Sequence, residues 1–195
     1  MPMVNPVLDT ASAAAAVRVL VANPGSLVTS RGPQWVEEDA ARAMLADAAI
    51  SFLVDGDAAV VLAERMQTPG HFRLSVAVAD DDSITAAVLD VALRDVSAFL
   101  VASVDTVRID LVFGVYNERF VEWALAAEGV RFEGVLSDAF YAGGRHWEGV
   151  IAAITGDDLD EFRSGGAASR ERRIVDRLRD RIREDLRRHG AEVPG

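Results

Sequence analysis

A βαβ unit in the middle of the chain constrains its fold more than any other feature. Residues 72–79 and 106–113 are β-type runs. Between them, residues 84–100 carry apolar side chains at intervals of three and four, which is typical of an amphipathic helix. A helix in this position joins two parallel strands of one sheet. The chain must therefore build a sheet that contains this pair and that helices cover.

The rest of the chain favours antiparallel pairing around this unit. Asp55-Gly56-Asp57 separates two β-type runs and is a strong hairpin signal, and Gly143-Gly144 marks a second turn. The further predicted strands cover residues 17–22, 50–54, 58–64, 130–136 and 147–155, and the further helices cover 36–48 and 118–128. The order β-α-β-β-β-α-β-α-β-β predicts an α/β (α+β) fold with a mixed, mostly antiparallel sheet flanked by helices.

The C-terminal end differs in charge from the rest of the chain. Residues 1–162 hold 10 Arg against 25 Asp and Glu, whereas residues 163–195 hold 10 Arg against 6. We therefore expect a domain at 1–162, a linker at 163–168 and an arginine-rich helical tail at 169–195. The apolar stripe of this amphipathic helix consists of Ile174, Val175, Leu178, Ile182 and Leu186. The stripe indicates docking on the acidic body or a homodimer through the helix, and a solvated tail and nucleic-acid binding are the further alternatives.

Composition excludes several classes of function. The 195 residues include no cysteine, so a disulfide framework, a cysteine nucleophile and a thiolate metal site are excluded, and we expect no metal. No stretch approaches the roughly 18 apolar residues of a membrane span, and the start lacks the basic residues of an export signal. We therefore expect a cytoplasmic protein without a membrane partner. A net charge of -11 disfavours nucleic acid and favours a cationic partner.

One C-terminal segment resembles a family motif. It runs from Asn117 through Gly129-Val130-Arg131-Phe132-Glu133-Gly134-Val135-Leu136-Ser137-Asp138 and Gly144 to Val150-Ile151. This segment resembles the "N, helix, G-F-x-x-E-G-v-l-x-d, turn, strand" ending of the GNAT superfamily of acyl-CoA-dependent N-acetyltransferases, with Val130 where the family has phenylalanine. The branch that includes the ribosomal-protein alanine acetyltransferases is the most similar, and the order of elements agrees from residue 17 to 155.

The resemblance implies a donor, acetyl-CoA or another acyl-CoA, and a loop that binds its pyrophosphate. In the family this loop reads R/Q-x-x-G-x-G/A, and its backbone N–H groups hold the phosphates at a helix N-terminus. Here residues 80–85 occupy it in a degenerate form, with Asp80 at the arginine position and Ser83 and Thr85 at the glycine positions. The cofactor-binding residues implied are Val76, Val78, Ser83, Ile84, Thr85 and Asn117. The alternatives for residues 80–83 are a helix cap and a site for a cation or an amine.

The catalytic positions of the family are also altered. Many members carry a tyrosine four residues before the Gly-Phe pair that protonates the leaving thiolate, but Leu125 stands there. Tyr116 is the nearest tyrosine and is the candidate general acid, with packing at a strand end as the alternative. His71 is the candidate general base because it lies on the strand that often supplies this group in the family, with an ordinary surface residue as the alternative. His146 and Tyr141 are ambiguous.

Three functions follow from the resemblance. The first is an acyltransferase that moves an acyl group from acyl-CoA, or a related thioester, to an amine on a small molecule or a peptide. The second is a GNAT-fold binding or regulatory protein that has lost this activity. The third keeps the chemistry and takes a carrier-protein thioester or an aminoacyl-tRNA as donor. We expect the tryptophans Trp35, Trp123 and Trp147 to pack in the core, with an acceptor pocket as the alternative for Trp35.

Overall fold

The computed structural model describes residues 2–29 and 31–164. The predicted tail at 169–195, and the predicted linker from residue 165 onward, lie outside the described residues. Within the described part, no helix is long and apolar enough to cross a membrane.

The described part of the chain contains nine strands and five helices. The strands are β1 Val4–Pro6, β2 Val28–Thr29, β3 Gly32–Pro33, β4 Ile50–Val54, β5 Ala59–Arg65, β6 His71–Val78, β7 Arg108–Gly114, β8 Arg131–Ala142 and β9 Arg145–Thr155. The helices are α1 Thr10–Ala22, α2 Glu38–Asp47, α3 Ala86–Ser103, α4 Glu118–Ala126 and α5 Asp157–Ser164.

Seven of the strands form one mixed sheet, and β2 and β3 form a small separate hairpin. The order in the main sheet is β1-β4-β5-β6-β7-β9-β8. Every neighbouring pair in this sheet is antiparallel except β6 and β7, which are parallel and are joined through α3. The prediction of a mostly antiparallel sheet around a central βαβ unit is therefore confirmed.

The strand predicted at 17–22 is wrong, because these residues form the last turns of α1. The helix begins at a capping box in which the Asp9 carboxylate accepts a hydrogen bond from the Ser12 backbone N–H at 2.7 Å. Alanines at 13–16 carry the helix forward, since alanine has the highest helix propensity. Val17 and Leu20 are buried against the sheet, and this burial outweighs the β preference of valine. The first strand is β1, which lies before α1.

Helices cover both faces of the sheet. One core lies between the sheet and helices α3, α4 and α5, and includes Leu93, Phe120 and Phe162. A smaller core lies between the sheet and helices α1 and α2, and includes Leu20 and Ala41. Both faces of β5 are buried from Ala59 to Ala63, which explains its continuous apolar run there. Strand β6 carries polar residues at His71, Arg73 and Ser75 and is apolar and buried from residue 76 to 78.

The two parallel strands separate before they end. Their register pairs His71 with Arg108 and stops at Leu74 with Leu111. Strand β6 continues to Val78 and strand β7 to Gly114, so the last residues of both strands border a V-shaped opening. Helices α3 and α4 begin beside this opening. The fold thus places a gap in the sheet next to two helix N-termini.

Candidate functional site

A crevice of about 260 Å³ opens where β6 and β7 diverge. Its apolar part is formed by four side chains that are buried in the fold, Val78, Ile84, Leu89 and Phe120. Tyr116 and Asn117, which follow β7, form the opposite wall. The crevice is lined by β6, the start of α3 and the start of α4, so residues far apart in the sequence meet there.

Carboxylates dominate the charged lining of the crevice. Asp81, Asp82 and Glu118 line it together with one cation, Arg119. The Arg119 guanidinium lies 4.0 Å from the Asp82 carboxylate, and the Asn23 side-chain amide donates a hydrogen bond to Asp81 at 2.9 Å. The side chain of Asp82 is 98% exposed. This charge distribution favours a cation over a diphosphate.

The predicted phosphate loop uses its own polar groups to hold its shape. The Asp80 carboxylate accepts from the Asp82 backbone N–H at 2.9 Å, and the Asp80 carbonyl accepts from the Ser83 backbone N–H at 3.2 Å. The Ser83 hydroxyl lies within hydrogen-bond distance of the carbonyls of Ala58 at 2.9 Å and Asp80 at 2.7 Å. Two backbone donors that a diphosphate would need are therefore already satisfied within the chain.

Helix α3 begins at a conventional N-cap. The Thr85 hydroxyl accepts from the Val88 backbone N–H at 3.3 Å. Sequence reasoning placed the cap at residues 80–83, two residues too early, because Ser83 and Thr85 are both good capping residues. The structure thus gives Thr85 a structural role, and neither its side chain nor that of Ser83 lines the crevice.

Tyr116 reaches across the opening to the segment after α1. Its phenol donates a hydrogen bond to the Gly25 carbonyl at 2.7 Å, and its ring packs edge-on against Trp147 at 5.8 Å. Burial raises the pKa of Tyr116 above the ordinary value of about 10. The phenol therefore stays protonated at neutral pH. It can donate a hydrogen bond, but it is a weaker acid than an ordinary tyrosine. Gly114 makes room for the ring, since a Cβ there would lie 2.2 Å from Tyr116 Cε1.

Asn117 is the N-cap of α4. Its side-chain oxygen accepts from the Phe120 backbone N–H at 3.3 Å. The structural interpretation of Asn117 as a helix cap is therefore confirmed. The residue also lines the crevice, and its role in cofactor binding stays a prediction. Leu125, at the position of the family's tyrosine, packs against the core under α4.

The segment from Asn23 to Thr29 covers the end of β6, which sequence reasoning did not foresee. The Ser26 hydroxyl is buried and lies 3.3 Å from the Val78 backbone nitrogen and 3.4 Å from the Val78 carbonyl oxygen. Ser26 thus satisfies the backbone of the last β6 residue. Only the three-dimensional fold brings these residues together, because they are 52 positions apart.

Ser75 marks the closed end of the opening. It is the first β6 residue beyond the pairing with β7, and its side chain is only 2% exposed. Its hydroxyl has no hydrogen-bond partner among the described residues. A buried hydroxyl without a partner costs about 1–3 kcal/mol, so this group is well suited to a ligand that supplies one.

Several predicted site residues lie elsewhere. His71 begins β6, seven residues from Val78, which is about 23 Å along an extended strand. The structure therefore does not bring His71 to the crevice. Val76 is buried in the core and does not line the crevice. His146 lies on β9 with its ring 5.1 Å from that of Tyr141.

The three tryptophans differ in their surroundings. Trp123 and Trp147 are buried, as predicted. The prediction that Trp35 packs in the core is wrong, because its side chain is 61% exposed. It follows the β2–β3 hairpin, where few apolar groups are available to cover it. Among residues 2–29 and 31–164, no three His, Asp or Glu side chains are grouped as a metal site would need.

Comparison of the fold with solved structures gives clear matches. No protein-family model matches the chain, and no curated protein matches its sequence. A mutant form of the spermidine/spermine N-acetyltransferase SpeG from Vibrio cholerae is 13% identical, with a TM-score of 0.62 over 84% of this chain and 97% of that one. The ribosomal-protein-S5-alanine acetyltransferase from Vibrio fischeri is 13% identical, with a TM-score of 0.59 over 81% and 94% of the two chains.

A third match carries the family name. An acetyltransferase of the GNAT family from Streptococcus pneumoniae is 16% identical, with a TM-score of 0.59 over 80% of this chain and all of that one. These similarities confirm that the chain has the GNAT fold. At such identities they establish the fold alone, and the activity has to be argued from the site.

Proposed function

We propose that the chain is an N-acyltransferase that takes an acyl group from a thioester and passes it to an amine. The observation that carries this proposal is the parting of β6 and β7 after Leu74 and Leu111, beside an open crevice. Two strands that stop pairing inside a sheet leave backbone groups for a ligand. At Val78 the Ser26 hydroxyl already occupies the backbone N–H and carbonyl, so the groups that a ligand could use here belong to residues 75–77 and 112–114. An extended thioester arm, which carries amide groups of its own, would fit such a gap.

Ser75 supports the same assignment. Its backbone lies where the pairing of β6 with β7 ends, about 10 Å from Val78 along the strand, and its hydroxyl is buried. A thioester arm that enters from the crevice would supply an acceptor or donor for this hydroxyl. The group would then change from an unsatisfied atom into a specific contact with the donor.

The loop at residues 80–85 is a poor binding site for the diphosphate of coenzyme A. The gap between β6 and β7 is the better site, and it would take the pantetheine arm. The loop offers Asp81 and Asp82 where a phosphate would approach, and the backbone donors of Asp82 and Ser83 are already used. Like charges at about 4 Å repel by about 1 kcal/mol even in water. We therefore propose that recognition of the donor rests on its pantetheine arm, with little contribution from the nucleotide.

The reaction needs few groups from the protein. The reacting ammonium group first loses one proton to water. The neutral amine then attacks the carbonyl carbon, a C–N bond forms and the C–S bond breaks. The thiolate leaves with the bonding electron pair and takes up one proton from water, and the nitrogen loses its second proton to water. Tyr116 stands in the wall of the crevice as a protonated phenol that can donate a hydrogen bond to the leaving sulfur. This donation requires its hydroxyl to leave the Gly25 carbonyl.

We propose a cationic amine as the acceptor. The carboxylates at the crevice and the acidic body of the chain concentrate cations near the site. One of the similar solved structures is, by name, a spermidine/spermine N-acetyltransferase, and a polyamine is a suitable first acceptor to test.

The test measures release of free thiol with a chromogenic thiol reagent. The chain contributes no background because it contains no cysteine. With spermidine as acceptor, we expect thiol release from acetyl-CoA and from acetyl-pantetheine. The kcat/KM for acetyl-CoA should be about five- to tenfold below that for acetyl-pantetheine, because Asp81 and Asp82 repel the diphosphate. Tyr116→Phe should lower kcat, whereas Tyr141→Phe, which changes an exposed tyrosine outside the crevice, should not. Absence of amine-dependent thiol release from both donors would refute the proposal.

A second candidate function is a GNAT-fold protein that binds a cation or an amine and transfers nothing. The carboxylates Asp81, Asp82 and Glu118 beside the crevice favour it. This function predicts that spermidine raises the melting temperature while acetyl-pantetheine does not. The acyltransferase predicts that the thioester stabilises the chain in the absence of any amine.

A further inference from the structure

A second surface feature, the α3–α4 groove, has no role in the proposed reaction. This groove of about 360 Å³ lies between α3 and α4 and is lined by Ala87, Asp90 and Arg94 on one side and Glu122, Ala126 and Glu128 on the other. Alanines give it an apolar floor, and Glu122 and Glu128 place carboxylates at its rim, with Glu122 3.5 Å from the Arg119 guanidinium and Asp90 paired with Arg94. Such a surface suits an amphipathic segment that carries both apolar side chains and cations.

The polar groups at one end of the groove are held in place. The Asp90 carboxylate accepts from the Arg94 Nε at 2.7 Å and from the Trp123 indole nitrogen at 3.0 Å. The Arg94 guanidinium lies 4.4 Å from the centre of the Phe162 ring, and its Nη1 is buried without an acceptor among the described residues. These contacts hold the Asp90 and Arg94 side chains in place at this end of the groove.

Phe162 connects the groove to the C-terminal end of the chain. Its ring packs edge-on against Trp123 at 6.2 Å, and helix α5 ends two residues later at Ser164. The remaining residues, 165–195, therefore leave the described domain beside the groove. Between Arg170 and Arg188 this segment contains nine arginines, and its apolar stripe includes Leu178 and Ile182.

We propose that residues 165–195 dock into the α3–α4 groove of the same chain. The apolar stripe would lie on the alanine floor, and arginines would face the carboxylates of the rim. The site adjoins the point where the segment begins, so the effective concentration of the segment is about millimolar, and a second copy has to compete with it. This inference does not depend on the proposed acyl transfer.

The test uses the full chain, whose lack of cysteine allows a single thiol to be introduced. Ala126→Cys places a thiol at an exposed position in the groove, and its rate of alkylation reports whether the groove is covered. We expect alkylation to be about tenfold faster when Leu178→Ser and Ile182→Ser are added, because the docked population falls. As a control, Ala46→Cys, an exposed alanine of α2 outside the groove, should react equally fast with either tail.

Two results would overturn the proposal. Equal alkylation rates of the Ala126→Cys thiol with the native segment and with the Leu178→Ser, Ile182→Ser segment would show that residues 165–195 do not cover the groove. If the Ala126→Cys thiol loses its protection from alkylation when the protein is diluted, the occupant of the groove is a second copy of the chain. Protection that is independent of protein concentration supports docking within one chain.

Discussion

Two side chains beside the diverging strands carry most of the chemistry proposed for this molecule. Ser75 supplies a buried hydroxyl on the residue where β6 parts from β7, and Tyr116 supplies a protonated phenol in the wall of the crevice. The sequence offered Tyr116 as a candidate because few tyrosines were available. Its contact with Gly25 was unpredictable, since the two residues are 91 positions apart. The lack of a partner for Ser75 could be seen only in the packed structure.

Ser75→Ala separates a structural role from a functional one. Removal of a buried hydroxyl without a partner should leave the free energy of unfolding unchanged or raise it by up to about 1 kcal/mol. If the hydroxyl contacts the donor, the same change should raise KM for acetyl-pantetheine several-fold. Urea unfolding and steady-state kinetics check the two parts. A stable variant with unaltered KM would remove Ser75 from the site.

The raised pKa of Tyr116 predicts how stability depends on pH. The folded chain holds this proton more tightly than the unfolded chain does, so the stabilisation is fully present below about pH 10 and is lost at higher pH. We expect the free energy of unfolding to fall less steeply above pH 10 in Tyr116→Phe than in the wild type. Tyr141→Phe should keep the steep fall. Urea titrations between neutral pH and pH 11 measure this slope.

At the level of helices and strands, the sequence predicted most elements in which the hydrophobic pattern runs over five or more residues. Helices α2, α3 and α4 and strands β4 to β9 lie within a few residues of their predicted positions, except for the longer β8. Helix α1 was misread because its second half is rich in valine, and the cap at Asp9 lies well upstream. The β2–β3 hairpin was missed because strands of two residues have no period.

The loop between β6 and α3 gives a prediction for donor selectivity. Asp81→Asn together with Asp82→Asn removes two charges without removing the backbone contacts of the loop. We expect the affinity for acetyl-CoA to rise by about five- to tenfold, since each charge costs about 1 kcal/mol or less near a phosphate in water. The affinity for acetyl-pantetheine should not change. Isothermal titration calorimetry on both ligands checks this, and an equal effect on both would contradict it.

Helix α5 packs closely against the backbone of Gly129. This residue has φ +78°, and a Cβ there would lie 2.9 Å from the Asp158 carbonyl oxygen. We expect Gly129→Ala to destabilise the fold by about 2–3 kcal/mol, through backbone strain and displacement of α5. The control is Gly144→Ala, which has φ +81° and no atom within 4 Å of the added Cβ. Thermal unfolding should show a clearly smaller loss for the control.

At the scale of the whole molecule, the fold positions the site more than any single motif does. A sheet that is antiparallel on both sides of one parallel pair opens where that pair diverges, and helices α3 and α4 begin beside the opening. The order of segments predicted this architecture. The departures at residues 80–85 and at Leu125 showed that its chemistry could not be carried over from similar proteins. The structure explains them as loop hydrogen bonds and core packing.

The central claim is that a thioester arm binds between β6 and β7. The most direct test is a crystal structure of the chain with a stable thioether analogue of acetyl-pantetheine. We expect the arm to lie between residues 75–78 and 112–114, within hydrogen-bond distance of the backbone of β6 and of the Ser75 hydroxyl. A sheet in which β6 and β7 pair to their ends, or an analogue bound elsewhere, would contradict it.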